Sequence, residues 1–178
     1  NPLTDGLCRE GIGRAARSLR TAFSDGRNPA AREDMVVASL FGGFALANAG
    51  LGAVHGFAGP IGGMFPAPHG AVCAALLPHV MLANLRAVQD RAETRATLGR
   101  YQAVARWLTG RVTATADSGV AWVEELVRDL QIPKLRVYGV RESDVPEIVA
   151  KAANASSMKA NPIVLTAEEL AETLRAAI

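Results

Sequence analysis

The sequence predicts an all-α protein, and three observations lead to that class. Apolar residues recur at helical spacing along most of the chain, and capping residues, glycines and prolines separate the segments. Only residues 134–140, "KLRVYGV", show strand-like alternation, which is short and suits an extended connection equally well. The 178 residues, 49% of them hydrophobic, are enough for one good-sized core. We therefore expect residues 1–178 to form a single helical domain.

The first two predicted helices are separated by a turn. Apolar residues repeat at helical spacing over residues 3–23, and Asp25-Gly26 supplies a stop. Asn28 is placed to cap a second helix, with Pro29 at its first position. This helix runs through Ala47, and because its second half is apolar all round, we expect that half to be buried.

A long apolar helix is predicted at residues 69–85, where Pro78 is expected to produce a kink. Residues 95–108 and 119–130 have the pattern of amphipathic helices. Candidate caps of the later one are Asp117 and Ser118. The aromatic residues of these segments are interpreted as packing residues: Tyr101, Trp107 and Trp122.

Two short helices are predicted near the end of the chain. The first lies within residues 142–156, is entered near Ser143 and has Pro146 in its first turn. The second lies within residues 166–177, where Thr166 and Glu169 have the spacing of a capping box.

Composition argues against two classes of partner. The net charge is only +2, and Lys and Arg are interspersed with acidic residues, so no nucleic-acid surface is predicted. Residues 35–85 contain no Asp, Glu, Lys or Arg, a length that raises the question of a membrane span. Prolines and glycines interrupt that stretch, and a helical hairpin would place two histidines in lipid, so we expect no membrane. Cys8 and Cys73 lack metal or redox spacing and are interpreted as small buried thiols of a reduced, cytoplasmic protein.

The stretch from Ala53 to Gly70, "AVHGFAGPIGGMFPAPHG", holds two of the three histidines. We expect His55 near the end of one apolar helix and His69 at the start of the next, with glycines allowing close approach and prolines stiffening the return. Neutral imidazoles are common ligands of zinc and ferrous iron, but two ligands make only half a site. Hydrogen-bonded core histidines are the alternative. His79 lies ten residues beyond His69 and is interpreted as a packing or capping residue.

Extended on both sides, this stretch, "GLGAVHGFAGPIGGMFPAPHGAVCAALLPHVM", resembles the metal-binding signature of the iron-containing (group III) alcohol dehydrogenases. "NPLTDGLCREGIGRAARSL", "AREDMVVASLFGGFALANAGLGAVH" and "SSMKANPIVLTAEEL" resemble the family's neighbouring segments, so the resemblance covers essentially the whole chain. It implies the helical, bundle-like C-terminal half of the dehydroquinate synthase-like fold. It also implies that His55 and His69 are metal ligands, completed in the family by an Asp and a His four residues apart, upstream of this stretch.

The resemblance further implies an NAD(P)-dependent oxidoreductase of a small alcohol, aldehyde or keto acid. Its cofactors would be a divalent metal, Fe²⁺ or Zn²⁺, and NAD(P) bound by an N-terminal domain, without which we expect the chain to be inactive. Phe57 and Phe65 flank the two histidines and are predicted to shape an apolar substrate pocket. A homodimer is the expected assembly.

One position departs from the family's pattern. Gly59 stands where members of the family commonly carry a histidine near the nicotinamide that relays the proton. Water and the cofactor's ribose, or a different residue, would then carry the proton, or the substrate differs from simple alcohols. Two alternatives to the metal enzyme also remain. One is a non-catalytic helical fragment or interaction module, and the other is a metal-independent enzyme like the maleylacetate reductases, against which the retention of His55 and His69 argues.

Overall fold

The computed structural model describes residues 1–91 and 95–178, and within these ranges the chain is helical and contains no strand. The predicted all-α class is confirmed. The α-helices are α1 (Pro2–Ser24), α2 (Pro29–Ala49), α3 (Ala53–Met64), α4 (His69–Asp90), α5 (Arg95–Thr109), α6 (Ala116–Asp129), α7 (Val145–Ala153) and α8 (Ala167–Ala177). Short 3₁₀ helices occupy Leu135–Tyr138, Glu142–Asp144 and Ser156–Ala160, so the strand-like segment is a helical turn.

Side-chain caps define the starts of four helices, α1, α2, α6 and α8. The Asn28 side chain accepts a hydrogen bond from the backbone N–H of Ala31 at the start of α2. Thr166 and Glu169 form the predicted capping box of α8. The cap predicted for α6 was wrong: Thr115 accepts from the N–H of Ser118, because the helix begins three residues before residue 119.

The second half of α2 is not buried, contrary to the expectation from its composition. Leu40, Phe44 and Leu46 are about half exposed, and only Ala45 is buried there. The reason is that α1 covers a single face of α2, where Gly11 approaches the backbone of residue 38. A helix that is apolar all round but packs on one side leaves its other apolar side chains exposed.

The glycine-rich stretch forms a separate helix, α3, so His55 lies in the first turn of α3 and not near the end of α2. Gly50, with a φ of 79°, ends α2 and allows the chain to start again. Burial of Phe57 and Ile61 outweighs the low helix propensity of the glycines. Helical backbone therefore carries the first candidate ligand.

The chain divides into two compact units, each made of two segments. The first unit comprises residues 1–50 and 98–130, and the second comprises residues 51–97 and 131–178. The expectation of a single domain stays a prediction.

Buried apolar residues of the first unit are small: Ala31, Ala45, Ala105, Ala114, Ala116, Val120 and Val123. The large, fully buried side chains of the described ranges all belong to the second unit: Phe57, Ile61, Leu76, Leu85, Leu135, Ile148 and Leu174. Trp107 and Trp122, interpreted as packing residues, are partly buried within the first unit. The Arg20 guanidinium lies 4.9 Å from the centre of the Trp122 ring.

By length and composition, α4 is the single described helix that could cross a membrane unaided, with a mean hydropathy of 1.6 over its most apolar window. Half of that window is buried within the protein, and the core helix of a globular domain has the same properties. The helix runs from His69 to Asp90 without interruption at Pro78.

Candidate metal centre

Three potential metal ligands meet at one point in the second unit. The ligand atoms of His55, His69 and Cys73 all lie within 4.8 Å of one another. The His55 and His69 ring centres are 5.3 Å apart, and Cys73 Sγ lies 3.5 Å from His69 Nε2. In residues 1–91 and 95–178 this is the only such cluster of three His, Cys, Asp or Glu side chains. We call it the His-His-Cys cluster.

The connection between α3 and α4 brings the two histidines together. Met64 lies nine positions after His55 on α3, a rise of about 13.5 Å. Phe65 and Pro68 have extended backbone, and between them the N–H of Ala67 donates to the carbonyl oxygen of Phe65 at 2.8 Å, a tight turn centred on Pro66 that redirects the chain. His69 then opens α4 beside the first turn of α3. The two histidines therefore meet as expected, although His55 lies in a helix of its own, and the stiffening of the return by Pro66 and Pro68 stays a prediction.

Cys73 joins the cluster because it lies one helical turn after His69. Side chains four residues apart on an α-helix share a face, so α4 presents the imidazole and the thiol in the same direction. The two cysteines are unpaired thiols, but both are only partly buried, in contrast to the small buried thiols expected, and Cys73 lies beside two histidines.

An asparagine pair holds the two ligand-bearing helices in place. Asn161 Oδ1 accepts a hydrogen bond from the N–H of Ala53, the first residue of α3, at 3.0 Å. Asn161 Nδ2 donates to Asn84 Oδ1 on α4 and to the carbonyl oxygen of Ile163, both at 2.7 Å. Asn84 is almost fully buried. Because buried amides are costly to leave unpaired, this network fixes the start of α3 against α4.

A second contact keeps the first turn of α3 close to the 3₁₀ helix at Ser156–Ala160. A side-chain carbon added at Gly56 would lie 2.7 Å from Cε of Met158, so glycine is the residue that admits this methionine. Gly56 follows His55 directly, so the packing of Met158 sets how closely the first turn of α3 approaches the 3₁₀ helix.

Burial shifts the pKa values of two side chains of the cluster, His55 and Cys73, and the neighbouring His69 adds to the shift of His55. Burial lowers the pKa of His55 below its usual range, and the neighbouring His69 lowers it further, because two positive imidazoliums repel each other. Burial raises the pKa of the Cys73 thiol. A neutral imidazole offers a nitrogen lone pair to a metal at neutral pH.

The remaining predicted site residues differ in how they are placed. Gly59 lies one turn after His55 on α3 and is exposed, with no atom within 4 Å of the position that a side-chain carbon would occupy. Phe57 is fully buried in the core, whereas Phe65 is partly exposed at the end of α3. His79 lies outside the cluster, on a separate cavity that Arg86 and Glu169 also line.

Sequence reasoning missed Cys73 and the asparagine pair. The spacing of four residues between His69 and Cys73 was a usable signal once a helix was predicted there. No local signal marks Asn84 and Asn161, because they are 77 residues apart in the chain. Two imidazoles and one thiol form a donor set that suits Zn²⁺ and can also hold Fe²⁺, and such a set leaves coordination positions open.

The whole chain matches one family of known proteins. The family model of the Fe-containing alcohol dehydrogenases, C-terminal, matches residues 1–178. The chain is 37% identical over 180 residues to 1,3-propanediol dehydrogenase of Klebsiella pneumoniae, covering 99% of this chain and 45% of that protein. It is 33% identical over 176 residues to lactaldehyde reductase of Escherichia coli (strain K12), covering 96% of this chain and 43% of that protein.

A crystal structure of 1,3-propanediol oxidoreductase superimposes with a TM-score of 0.90 at 35% identity, over all of this chain and 46% of that one. The chain thus spans less than half the length of the curated relatives it matches.

Proposed function

Because the chain belongs to the Fe-containing alcohol dehydrogenase family and corresponds to its C-terminal domain, we propose that it is the metal-binding half of an NAD(P)-dependent oxidoreductase. The observation that carries the proposal is the meeting of the His55 and His69 ligand atoms within 4.8 Å, on helices fixed against each other. The proposed substrates are small alcohols or aldehydes. The names of two relatives, a 1,3-propanediol dehydrogenase and a lactaldehyde reductase, support that class.

In the proposed site, His55 and His69 hold a divalent ion, and an Asp and a His from a preceding segment supply further ligands. When bound, Fe²⁺ or Zn²⁺ supplies Lewis acidity toward an alcohol or carbonyl oxygen, and NAD(P), held by a nucleotide-binding half, exchanges the hydride. The asparagine pair keeps the imidazoles in position before any ion arrives, which lowers the cost of assembling the site.

The chain's own residues also shape the surroundings of the cluster. Gly59 leaves open space on the face of α3 that His55 occupies, and it offers no group that could carry a proton. We propose that the substrate or a water molecule uses that space. Phe65, which is partly exposed, would line the apolar side of the pocket. Phe57, which is fully buried, would shape the pocket indirectly by holding α3 in the core.

Several expectations stay predictions: the homodimer, the cytoplasmic location, the absence of a membrane or nucleic-acid partner, and the action on a keto acid. The inert helical module and the metal-independent reductase also stay as alternatives to be separated by experiment.

Metal binding by the purified chain tests the ligand assignment. We expect Zn²⁺, or Fe²⁺ under anaerobic conditions, to bind, and His55→Ala and His69→Ala to weaken binding by about tenfold or more. His79→Ala is the matched control, because it removes the third histidine, which lies outside the cluster. Equal binding by the unaltered chain and both cluster variants would show that the assignment is wrong.

Activity of the chain joined to a nucleotide-binding half tests the reaction. We expect NAD(P)H-dependent reduction of lactaldehyde and NAD(P)⁺-dependent oxidation of 1,3-propanediol, with both activities lost after chelation of the metal. Reduction of a maleylacetate-like keto acid that survives chelation would favour the metal-independent alternative. Inactivity on all three compounds, with metal bound and the helices intact by circular dichroism, would favour the inert module.

A further inference from the structure

Cys73 is the member of the His-His-Cys cluster that the proposed function leaves without a role. Its Sγ lies 3.5 Å from His69 Nε2, and its side chain is partly buried. The ligand atom of His55 lies within 4.8 Å of both. A thiol in this position is either a hydrogen-bond partner of an imidazole or a ligand of the same ion.

Standard metal–ligand distances fit the second role, and because 3.5 Å also suits a sulfur–nitrogen hydrogen bond, the approach of His55 to the same point is what favours a shared ion. Zinc binds imidazole nitrogen at about 2.0 to 2.1 Å and thiolate sulfur at about 2.3 Å, so at a tetrahedral angle the two donors lie about 3.6 Å apart. The observed separation of 3.5 Å agrees with that value. The three ligand atoms all lie within 4.8 Å of one another, so movements of about 1 Å at the side-chain ends bring them to the separations that one tetrahedral ion requires.

The backbone of α4 maintains this pair without help from an ion. His69 and Cys73 are four residues apart on one helix, the spacing that places both histidines of an H-x-x-x-H motif on one metal. His55 approaches from α3, so the three donors come from two helices and converge from two directions.

We propose that Cys73 is a third metal ligand, so that this chain by itself binds a divalent ion through the imidazoles of His55 and His69 and the Cys73 thiolate. The inference rests on the proposed function only for the ligand role of the two histidines. On binding, the S–H bond breaks, its proton passes to solvent, and a sulfur–metal bond forms without any change in oxidation state. A thiolate ligand favours Zn²⁺ over Fe²⁺, which binds such sets more weakly.

Cobalt substitution tests the inference, because a thiolate bound to Co²⁺ gives a near-ultraviolet charge-transfer band that imidazole ligands do not give. We expect the chain with Co²⁺ to show this band and to lose it, with about tenfold or more of its affinity, in Cys73→Ser and Cys73→Ala. Cys8→Ser is the matched control, since Cys8 belongs to the first unit, and it should keep both the band and the affinity.

The outcomes separate the two proposals. Cobalt binding that depends on His55 and His69 but shows no thiolate band, or a band that survives in both Cys73 variants, overturns the role of Cys73 and leaves the proposed function standing. Cobalt binding that depends on Cys73 but on neither histidine overturns the proposed function and, with it, this ligand set. Failure of the folded chain to bind cobalt overturns the claim that it binds an ion by itself.

Discussion

The two units of the chain bury different kinds of residue. The second unit encloses large apolar side chains, among them Phe57, Ile61 and Leu76, together with the asparagine pair. The first unit encloses mainly alanines and valines, and it leaves large apolar residues exposed on α1 and α2, such as Phe23 and Leu40.

In the first unit, a buried carboxylate joins two helices, whereas in the second unit large apolar side chains hold the helices together. Asp34 is buried, and its carboxylate accepts hydrogen bonds from both Arg17 Nε and Nη2 at 2.8 Å, from Arg14 Nη1 at 2.9 Å and from Ser18 Oγ at 2.5 Å. These bonds join α1 to α2. Charge-assisted, bidentate hydrogen bonds of this kind are directional and depend on pH.

This contrast between the two cores indicates which unit can support a metal site. Ligands must be held within fractions of an ångström, and a close-packed apolar core with a satisfied amide network provides that rigidity at any pH near neutrality. The His-His-Cys cluster lies in the unit with that core. Four predictions test whether the contrast between the units is real.

Truncation of matched leucines should produce the largest contrast. Leu76→Ala in the second unit removes a side chain with 0% exposure and should cost about 2 to 5 kcal/mol of unfolding free energy. Leu40→Ala on α2 removes a side chain that is 51% exposed and should change that free energy by about 0.5 kcal/mol or less. Urea denaturation followed by circular dichroism measures both. Equal losses would mean that Leu40 is packed and that the contrast is wrong.

Loss of the asparagine pair should have the second-largest effect on the free energy of unfolding, and it should also weaken metal binding. Asn161→Ala leaves the buried Asn84 amide without its partner and should cost about 1 to 3 kcal/mol. It should also weaken zinc binding by about tenfold, because the first turn of α3 loses its anchor. The control is Asn154→Ala on the exposed end of α7, which should leave zinc binding unchanged. Unchanged affinity in Asn161→Ala would show that the pair does not position His55.

Matched glycine substitutions should show the opposite contrast at one pair of positions, because α5 and α6 of the first unit approach closely at Gly119, whereas α3 of the second unit is open at Gly59. A side-chain carbon at Gly119 on α6 would lie 2.8 Å from Cβ and 3.0 Å from Cα of Ala105 on α5, so Gly119→Ala should cost about 1 to 3 kcal/mol. Gly59→Ala on α3 meets open space and should stabilise the chain by up to about 1 kcal/mol through helix propensity. Thermal denaturation of both variants measures the difference, and a stabilised Gly119→Ala would contradict the close packing of α5 and α6.

Acid should unfold the first unit through Asp34. The Arg17 guanidinium and the Ser18 hydroxyl lower the pKa of Asp34 from 3.8 to about 2. A carboxyl with a lowered pKa stabilises the fold above its ordinary pKa, and this stabilisation is lost as the pH falls from about 4 to about 2. Both tryptophans, Trp107 and Trp122, belong to the first unit, so their fluorescence follows its acid transition.

The variant Asp34→Asn should be less stable at neutral pH and should lose less of its remaining stability over the same acid range. Asp25→Asn, at an exposed carboxyl of the same unit, is the control and should keep the acid transition of the unaltered chain. An unchanged acid transition in Asp34→Asn would show that ionisation of Asp34 is not the cause of the acid sensitivity.

Much of the fold was predictable because its signals are local. The stop at Asp25-Gly26, the cap at Asn28 and the capping box at Thr166 each depend on residues within one helical turn, and the structure places each where the pattern indicates. The cap of α6 was misplaced by a few residues because Thr115, Asp117 and Ser118 all have suitable side chains. Local pattern alone does not choose among them.

The site was only partly predictable. His55 and His69 were singled out by their setting and by the family resemblance, and the structure brings them together. Their helical context was wrong for His55, because tertiary burial of Phe57 converts a glycine-rich stretch into helix α3. The ligand role of both histidines, and that of Phe57 and Phe65 toward substrate, stays a prediction for the experiments above.

Residue type and spacing along the chain were enough to predict the helical class, the turn at Asp25-Gly26 and the two histidines as candidate ligands, and the resemblance to a long signature was enough to identify the family. Only the tertiary structure decided which apolar helix is covered, that Cys73 faces the same point as the histidines, and that Asn161 holds α3 to α4. The residues in these contacts come from different segments of the chain, so their meeting depends on the packing of a whole unit, and for Asn84 and Asn161, 77 residues apart, no local pattern marks it.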